Sequence, residues 1–265
     1  MTIYRTGGSI GKNNSPTASI ATGMWTMDEV ELAARASLWP QQIVTSGLVL
    51  LLDAGDQASY PGSGTTWTDL SGNGNHGTLT SGPTYSSADG GSLIFDGTDD
   101  YVINSSTTNI PVGSSSRTIE FWVYPKGDTN VFVVLGTGGV GSTQIYSVQF
   151  YNQAGTRYVF SDRVNATNNL TISGAQLPTL NVWNHIVFGN SGQDYFYYIN
   201  GVLQKSGTFP VTLNTVGQKY IVGKRDDIVR NTMNANMARV SIYNRALSGA
   251  EITQNFEALR SIYGV

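Results

Sequence analysis

Glycoside hydrolysis needs two carboxyl groups flanking one bond, about 5 Å apart for retention and further apart for inversion. The chain has five glutamates: Glu29, Glu31, Glu120, Glu251 and Glu257. Four of them fall in two predicted helices, so Glu120 is the one glutamate expected in a strand. It is followed by Phe121 and Trp122, with no second acid beside it. Asp99 and Asp100 are adjacent, but neighbouring strand residues point to opposite faces, so the pair reads as a turn. Either histidine, His76 or His185, would suit a Ser-His-Asp site. Within residues 47–265, however, no serine sits in a Gly-x-Ser-x-Gly elbow. His185 lies on an alternating stretch and reads as a hydrogen-bonded strand histidine. There are no cysteines, which removes thiolate metal sites, disulfides and a Cys nucleophile. The expectation is a chain without catalytic residues. A hydrolase would have to assemble its site from distant strands, with Glu120 as the residue to test.

The elements that would position these groups are mostly strands. Leu48–Asp53 is a continuous apolar run. Thr118–Tyr124 alternates, with Ile119, Phe121 and Val123 on one face and Glu120, Trp122 and Tyr124 on the other. Further strands are expected near 76–79, 92–96, 101–103, 131–135, 144–151, 156–161, 169–172, 183–188, 195–200, 202–205, 220–222 and 237–243. Asn200-Gly201 predicts a two-residue hairpin turn, because both residues tolerate positive φ. Strands without interleaved helices imply antiparallel pairing and two sheets packed face to face. A helix is expected over Ser248–Ile262, opened by the capping box Ser248-Gly-Ala-Glu251 and carrying Ile252, Phe256, Leu259 and Ile262. A shorter one is expected around Met27–Leu38, opened by Thr26-Met-Asp-Glu29 and ended at Trp39-Pro40. The domain division is therefore an N-terminal arm and helix, 1–46, and a sandwich, 47–265.

Composition agrees with this picture. Charged residues make up 12% of the chain and there are 31 glycines, as suits sheets joined by many turns. A net charge of −3 with no basic stripe argues against nucleic-acid binding. No apolar run is long enough for a membrane span. Residues 1–25 lack an apolar signal-peptide core, so the protein is expected to be made and used without the secretory route.

Seven segments, in order, resemble the laminin-G-like family of the concanavalin A-like lectin/glucanase fold. They are GLVLLLDAGD (47–56), WTDLSGNGNHGTL (67–79), SLIFDGTDDYV (92–102), RTIEFWVYP (117–125), WNHIVF (183–188), YYINGVL (197–203) and ARVSIYNRALSGAEI (238–252). The resemblance implies an all-β, antiparallel two-sheet jelly roll, here with a short N-terminal helix and a C-terminal helix. It departs from the glucanase branch, whose Glu-x-Asp-x-x-Glu strand is absent. Many members hold a calcium ion between the first and last strands, and the last-strand aspartate falls at position 238, where this chain has Ala238. Asp53 and Asp96 remain as oxygen donors, with turn and strand-end hydrogen bonding as their alternative role. Asp226-Asp227 reads as a solvated pair.

The family frequently binds glycans, using aromatic faces for sugar rings and Asn, Asp and Arg for hydroxyls. Tyr146, Tyr151, Tyr158, Tyr195 and Tyr197, with Arg157, Arg163 and Asn152, supply such groups. The ligand-binding candidates chosen from them are Tyr151, Tyr158, Arg163 and Asn152. The ends carry a second resemblance. GMWTMDEVELAARASLWP (23–40) looks like the leader of structural proteins from marine tailed phages, and YNRALSGAEITQNFEALRSIYG (243–264) resembles the C-termini of laminin-G-like domains in those phages. This implies a virion component without enzymatic activity, a capsid decoration or a tail- or fibre-associated protein assembled in the host cytoplasm. Residues 1–46 would hold other virion proteins, many copies or a homo-oligomer would be present, and the sandwich would meet surface glycans. A free lectin is the alternative, ahead of a hydrolase.

Overall fold

The structure is a computed structural model that describes residues 42–126, 131–135, 146–153, 156–161, 170–172, 177–210, 212–217, 219–224 and 233–265. The helix expected over Met27–Leu38 lies outside these residues, as do Arg163 and the Asp226-Asp227 pair.

Among the described residues two eight-stranded sheets form. The strands of the first are β1 (Leu48–Asp53), β4 (Thr84–Ser86), β5 (Ser92–Asp96), β7 (Arg117–Pro125), β12 (Asn184–Ser191), β13 (Asp194–Ile199), β14 (Val202–Thr208) and β16 (Asn234–Tyr243). Their order is β14-β13-β12-β7-β16-β5-β4, with β1 also on β16. The second sheet holds β2 (Thr66–Trp67), β3 (Gly77–Thr80), β6 (Tyr101–Asn104), β8 (Val131–Leu135), β9 (Tyr146–Gln153), β10 (Thr156–Ser161), β11 (Leu170–Ile172) and β15 (Tyr220–Val222). Its order is β11-β10-β9-β8-β15-β6-β3-β2. The ladders between these strands are antiparallel, as the missing helical crossovers require. Asn200 (φ 49°) and Gly201 (φ 73°) form the predicted turn between β13 and β14. Strands β2 and β4 were not foreseen. At two and three residues they are too short to show a period.

The core lies between the sheets, where Leu50, Phe95, Ile119, Phe121, Val123, Phe188, Tyr220 and Val240 are buried. The other face of the first sheet is not left to water. Helix α1 (Gly249–Tyr263) packs across it and covers Trp122, Trp183 and Ala238 with Phe256 and Tyr263. This explains why β7 is buried at nearly every position although it alternates: each of its two faces meets a different apolar layer.

Helix α1 starts at the predicted box. Ser248 Oγ accepts from the Glu251 N–H at 3.3 Å, and the Ser248 N–H donates to Glu251 Oε2 at 2.8 Å. It ends on Gly264 at φ 69°, a left-handed cap that glycine adopts without a Cβ clash. Its inward stripe corrects the sequence reading. Ile252 and Phe256 are buried as expected, but Ile262 is 48% exposed and Tyr263 is buried instead. Three turns on from Ile252 is about eleven residues at the helical period, which reaches 263 rather than 262.

Residues 42–46, expected as linker, are fastened to the domain. Gln254 Nε2 donates to the Gln42 carbonyl at 2.6 Å, the Val44 N–H donates to Asn255 Oδ1 at 2.7 Å, and Arg245 Nε donates to the Ser46 carbonyl at 2.9 Å.

Candidate functional site

Glu120 projects from β7 towards α1, and β12 places His185 directly beside it. The ladder pairs His185 with Trp122 and Val187 with Glu120, so both side chains share the α1 side of the sheet. His185 Nε2 lies 3.1 Å from Glu120 Oε1, an ion-pair distance without the alignment of a hydrogen bond. Asn255 of α1 closes the group. Its Nδ2 donates to Glu120 Oε2 at 2.7 Å and to the Tyr243 hydroxyl at 3.0 Å, while Tyr243 donates to the Val44 carbonyl at 3.0 Å. Burial pushes the Tyr243 phenol far up, and the Glu120 charge adds to this. The Trp122 indole and the Phe256 ring lie against the imidazole, 5.0 and 5.7 Å between centroids. Glu120 is 2% exposed and His185 0%. The arrangement is a sealed polar knot between sheet and helix, and a substrate cannot reach it.

The residues selected for sugar binding divide by register. Tyr151 pairs with Tyr158 and Asn152 with Arg157 across the β9–β10 ladder, so three of the four chosen residues share one hairpin. Arg163 lies outside the described residues. Tyr146, Tyr195 and Tyr197 are not available to a ligand, which corrects their place among the candidate aromatics. They are 0, 8 and 0% exposed and belong to the inter-sheet core. The cause is parity: β13 alternates with Tyr195, Tyr197 and Ile199 inward. Tyr146 meets the Arg117 guanidinium, 4.8 Å from its ring centroid. Arg117 is itself fully buried. It donates five hydrogen bonds, to the carbonyls of Pro111, Val112, Gly113 and Ser115 and to Thr215 Oγ1. Burial lowers its pKa.

The candidate metal ligands also separate. Asp53 Oδ2 accepts from Arg239 Nη1 at 3.0 Å and Oδ1 from the Gly55 N–H at 3.0 Å. Asp53 stands opposite Arg239 and Asp96 opposite Asn234, five residues apart along β16, so the two acids do not share a ligand set. Asp96 instead gathers with Asp99 and Asp100, whose carboxylate oxygens lie within 4.8 Å of one another. These acids also build the Asp-Gly turn. Asp96 accepts from the Thr98 N–H at 2.7 Å and Asp100 from the Asp96 N–H at 3.0 Å. Burial raises the Asp100 carboxyl pKa, and the charges of Asp96 and Asp99 add to it against the pull of that N–H. At position 238 calcium finds no carboxylate. Ala238 is fully buried at a β-bulge between Met237 and Arg239, packed among Trp122, Trp183 and Phe256.

Sequence reasoning missed the part played by WTDLSGNGNHGTL. The Asp69 carboxylate accepts from the N–H groups of Leu51, Ser71 and Asn75 and from the Ser71 hydroxyl, at 2.8 to 2.9 Å. Asn75 Nδ2 donates to the carbonyls of Val49 and Thr108, and Tyr220 donates to the Asn75 carbonyl. This hub ties β1, β15 and the loop around Thr108 together. It also supports a groove of about 460 Å³ on the outer face of the second sheet, beside His76. A second groove, about 360 Å³, lies between the Asp53–Gln57 loop and the last turn of α1. The Asn- and Gly-rich turn was the available signal, but it reads equally as an ordinary loop.

Two antiparallel sheets face to face, with a capped helix across one of them, define a jelly-roll sandwich of the lectin type. Residues 96–253 match the family model described as the concanavalin A-like lectin/glucanases superfamily, and the chain belongs to that family. No curated protein matches it. Among solved structures it is similar to the botulinum neurotoxin serotype D binding domain, with 16% identity and a TM-score of 0.59 over 81% of this chain and 52% of that one. It is similar to domain 4 of AbnA, an extracellular arabinanase from Geobacillus stearothermophilus, solved with arabinotriose, at 16% identity and TM-score 0.61 over 79% and 98% of the two chains. It is also similar to Trypanosoma rangeli sialidase in complex with sialic acid, at 17% identity and TM-score 0.62 over 86% and 35%. The chain thus spans about half the length of the toxin binding domain it matches.

Proposed function

We propose that this protein is a non-enzymatic structural component of a tailed-phage virion, with residues 1–46 as its anchor and the sandwich as an outward module that contacts surface glycans. The observation that carries the absence of catalysis is the burial of Glu120, the one glutamate in a described strand, beneath α1. The virion assignment rests on the terminal segments 23–40 and 243–264, which resemble those of marine tailed-phage structural proteins. The strap at residues 42–46 supports it, since an arm leaving a fastened point would hold the sandwich in a set orientation. The glycan contact is placed on the β9–β10 hairpin, with Tyr151, Asn152 and Tyr158, and on Arg163. Repetition over many copies would strengthen weak sugar contacts. Mass spectrometry of purified virions tests the assignment. The protein is expected among the structural proteins and is expected to drop out when residues 1–41, which stop short of the strap, are deleted. Its absence from particles would refute the proposal.

A free lectin is the second reading, favoured by the sugar complexes among the structural relatives. In that case the sandwich with its strap, residues 42–265, should bind glycan as a monomer.

A further inference from the structure

The groove beside His76 is lined, among the described residues, by polar and apolar side chains without a carboxylate, ammonium or guanidinium. Its wall carries His76, Thr78, Asn104, Ser105 and Ser106, and Ile103 supplies an apolar floor. Thr78 stands opposite Ile103 in the β3–β6 ladder, while Leu79 and Val102, one position along, point into the core. The groove therefore lies on the outward face of the sheet. No Asp, Glu, Lys or Arg among the described residues lines it.

Its polar groups are fixed before any ligand arrives. The Asp69 N–H donates to His76 Nδ1 at 3.0 Å. That nitrogen then carries no proton, and the ring proton sits on Nε2 as an outward donor. Asn104 is held from both ends: its Nδ2 donates to the His76 carbonyl at 2.8 Å, and its Oδ1 accepts from the Ser106 N–H at 2.8 Å. One amide N–H and one lone pair remain for a ligand. Thr78 and Ser105 are exposed, and their hydroxyls can donate or accept. Behind the groove, the Asp69–Asn75 hub cross-links the chain at positions 49, 51 and 108. Groups held in this way lose little freedom on binding.

Donors and acceptors in alternation, a small apolar floor and no counter-charge match a ring of hydroxyls over C–H bonds. They do not match a carboxylate or phosphate. We propose that this groove is a subsite for a neutral sugar unit, a hexose or pentose, of a surface glycan. The volume of about 460 Å³ suits one or two such units. The proposal rests on the glycan-binding reading above but uses a different place. Strands β9 and β6 are three ladder steps apart, roughly 14 Å.

The test uses the full chain on an array carrying neutral and sialylated glycans, followed by saturation-transfer NMR with the neutral sugars that bind. Thr78→Arg fills the groove from an exposed strand position, and Ser105→Trp fills it from the loop if the first variant folds poorly. Val202→Ser, at an exposed position of β14 away from both places, is the control. A neutral glycan should bind, Thr78→Arg or Ser105→Trp should weaken it at least tenfold with an unchanged melting temperature, and Val202→Ser should leave it within twofold. Wild-type affinity in both groove variants would overturn the subsite. If Tyr158→Ala then abolished binding, the hairpin reading would stand alone. Binding confined to sialylated glycans would overturn the neutral specificity, and no glycan binding by the wild type would overturn both readings.

Discussion

Replacing Glu120 by alanine separates a structural acid from a catalytic one. Asn255 Nδ2, 2.7 Å from Oε2, loses its acceptor, and His185 Nε2, 3.1 Å from Oε1, loses the carboxylate packed beside it. Both residues are 0% exposed, so water cannot take over. Leaving a buried donor unpaired costs about 1–3 kcal/mol. For a domain of this size one kcal/mol moves the melting temperature by about 2–4 °C, so Glu120→Ala should melt roughly 2–12 °C lower. Glu120→Gln keeps the shape and one acceptor oxygen for Asn255, and should cost about 1–2 kcal/mol. Near-UV circular dichroism is the suitable probe, because Trp122 stacks on Tyr263 at 4.3 Å beside this knot and reports its loosening. Neither variant should change glycan cleavage, which is expected to be absent in all three proteins. The reasoning fails if Glu120→Ala melts with the wild type, or if the wild type cleaves a glycan and Glu120→Gln abolishes that with no change in melting.

Three further outcomes are expected. The Arg245 guanidinium, followed by the Ser248 N–H, lowers the Glu251 carboxyl pKa to about 2 from its ordinary 4.5. A depressed carboxylate stabilises the fold above its unfolded pKa and loses that contribution as pH falls from about 4.5 to about 2. Because the pair is 30% exposed, Glu251→Gln should cost about 1 kcal/mol at pH 7, and the gap to wild type should close in melts taken towards pH 2. Arg117→Lys leaves several of the five carbonyl and hydroxyl acceptors without a donor, since an ammonium has three N–H groups and no planar fork; chemical denaturation should show a loss of about 2–4 kcal/mol. Ala238→Asp restores the acid of the family's calcium position but sets it against Trp122 and Phe256, so calorimetry should show a loss of several kcal/mol that added calcium does not recover.

Much of the fold was legible because its signals are local. The alternation of Ile119, Phe121 and Val123 against Glu120, Trp122 and Tyr124, the Asn200-Gly201 turn and the Ser248–Glu251 box each depend on a few consecutive residues, and each stands where it was expected. The candidate site was less legible. Tyr146 and Tyr151 lie on the same strand, and only the pairing of β9 within its sheet puts Tyr146 under the Arg117 guanidinium in the core. The bulge at Ala238 shifts the parity of β16, so that Met237 and Val240 both face the core and Ala238 is left to α1. No local period announces such an extra residue.

Residue order by itself determined the strand faces, the turns, the helix with its cap and the absence of cysteine chemistry, because these follow from backbone sterics and side-chain parity within a few positions. Tertiary structure alone decided that Glu120 and His185 meet across β7 and β12, that Asn255 of α1 closes over them, and that His76 opens onto a neutral groove. The reason is covering: whether a polar side chain on a strand face meets solvent or another layer depends on which distant segment packs there, and that is set by burial summed over the whole domain.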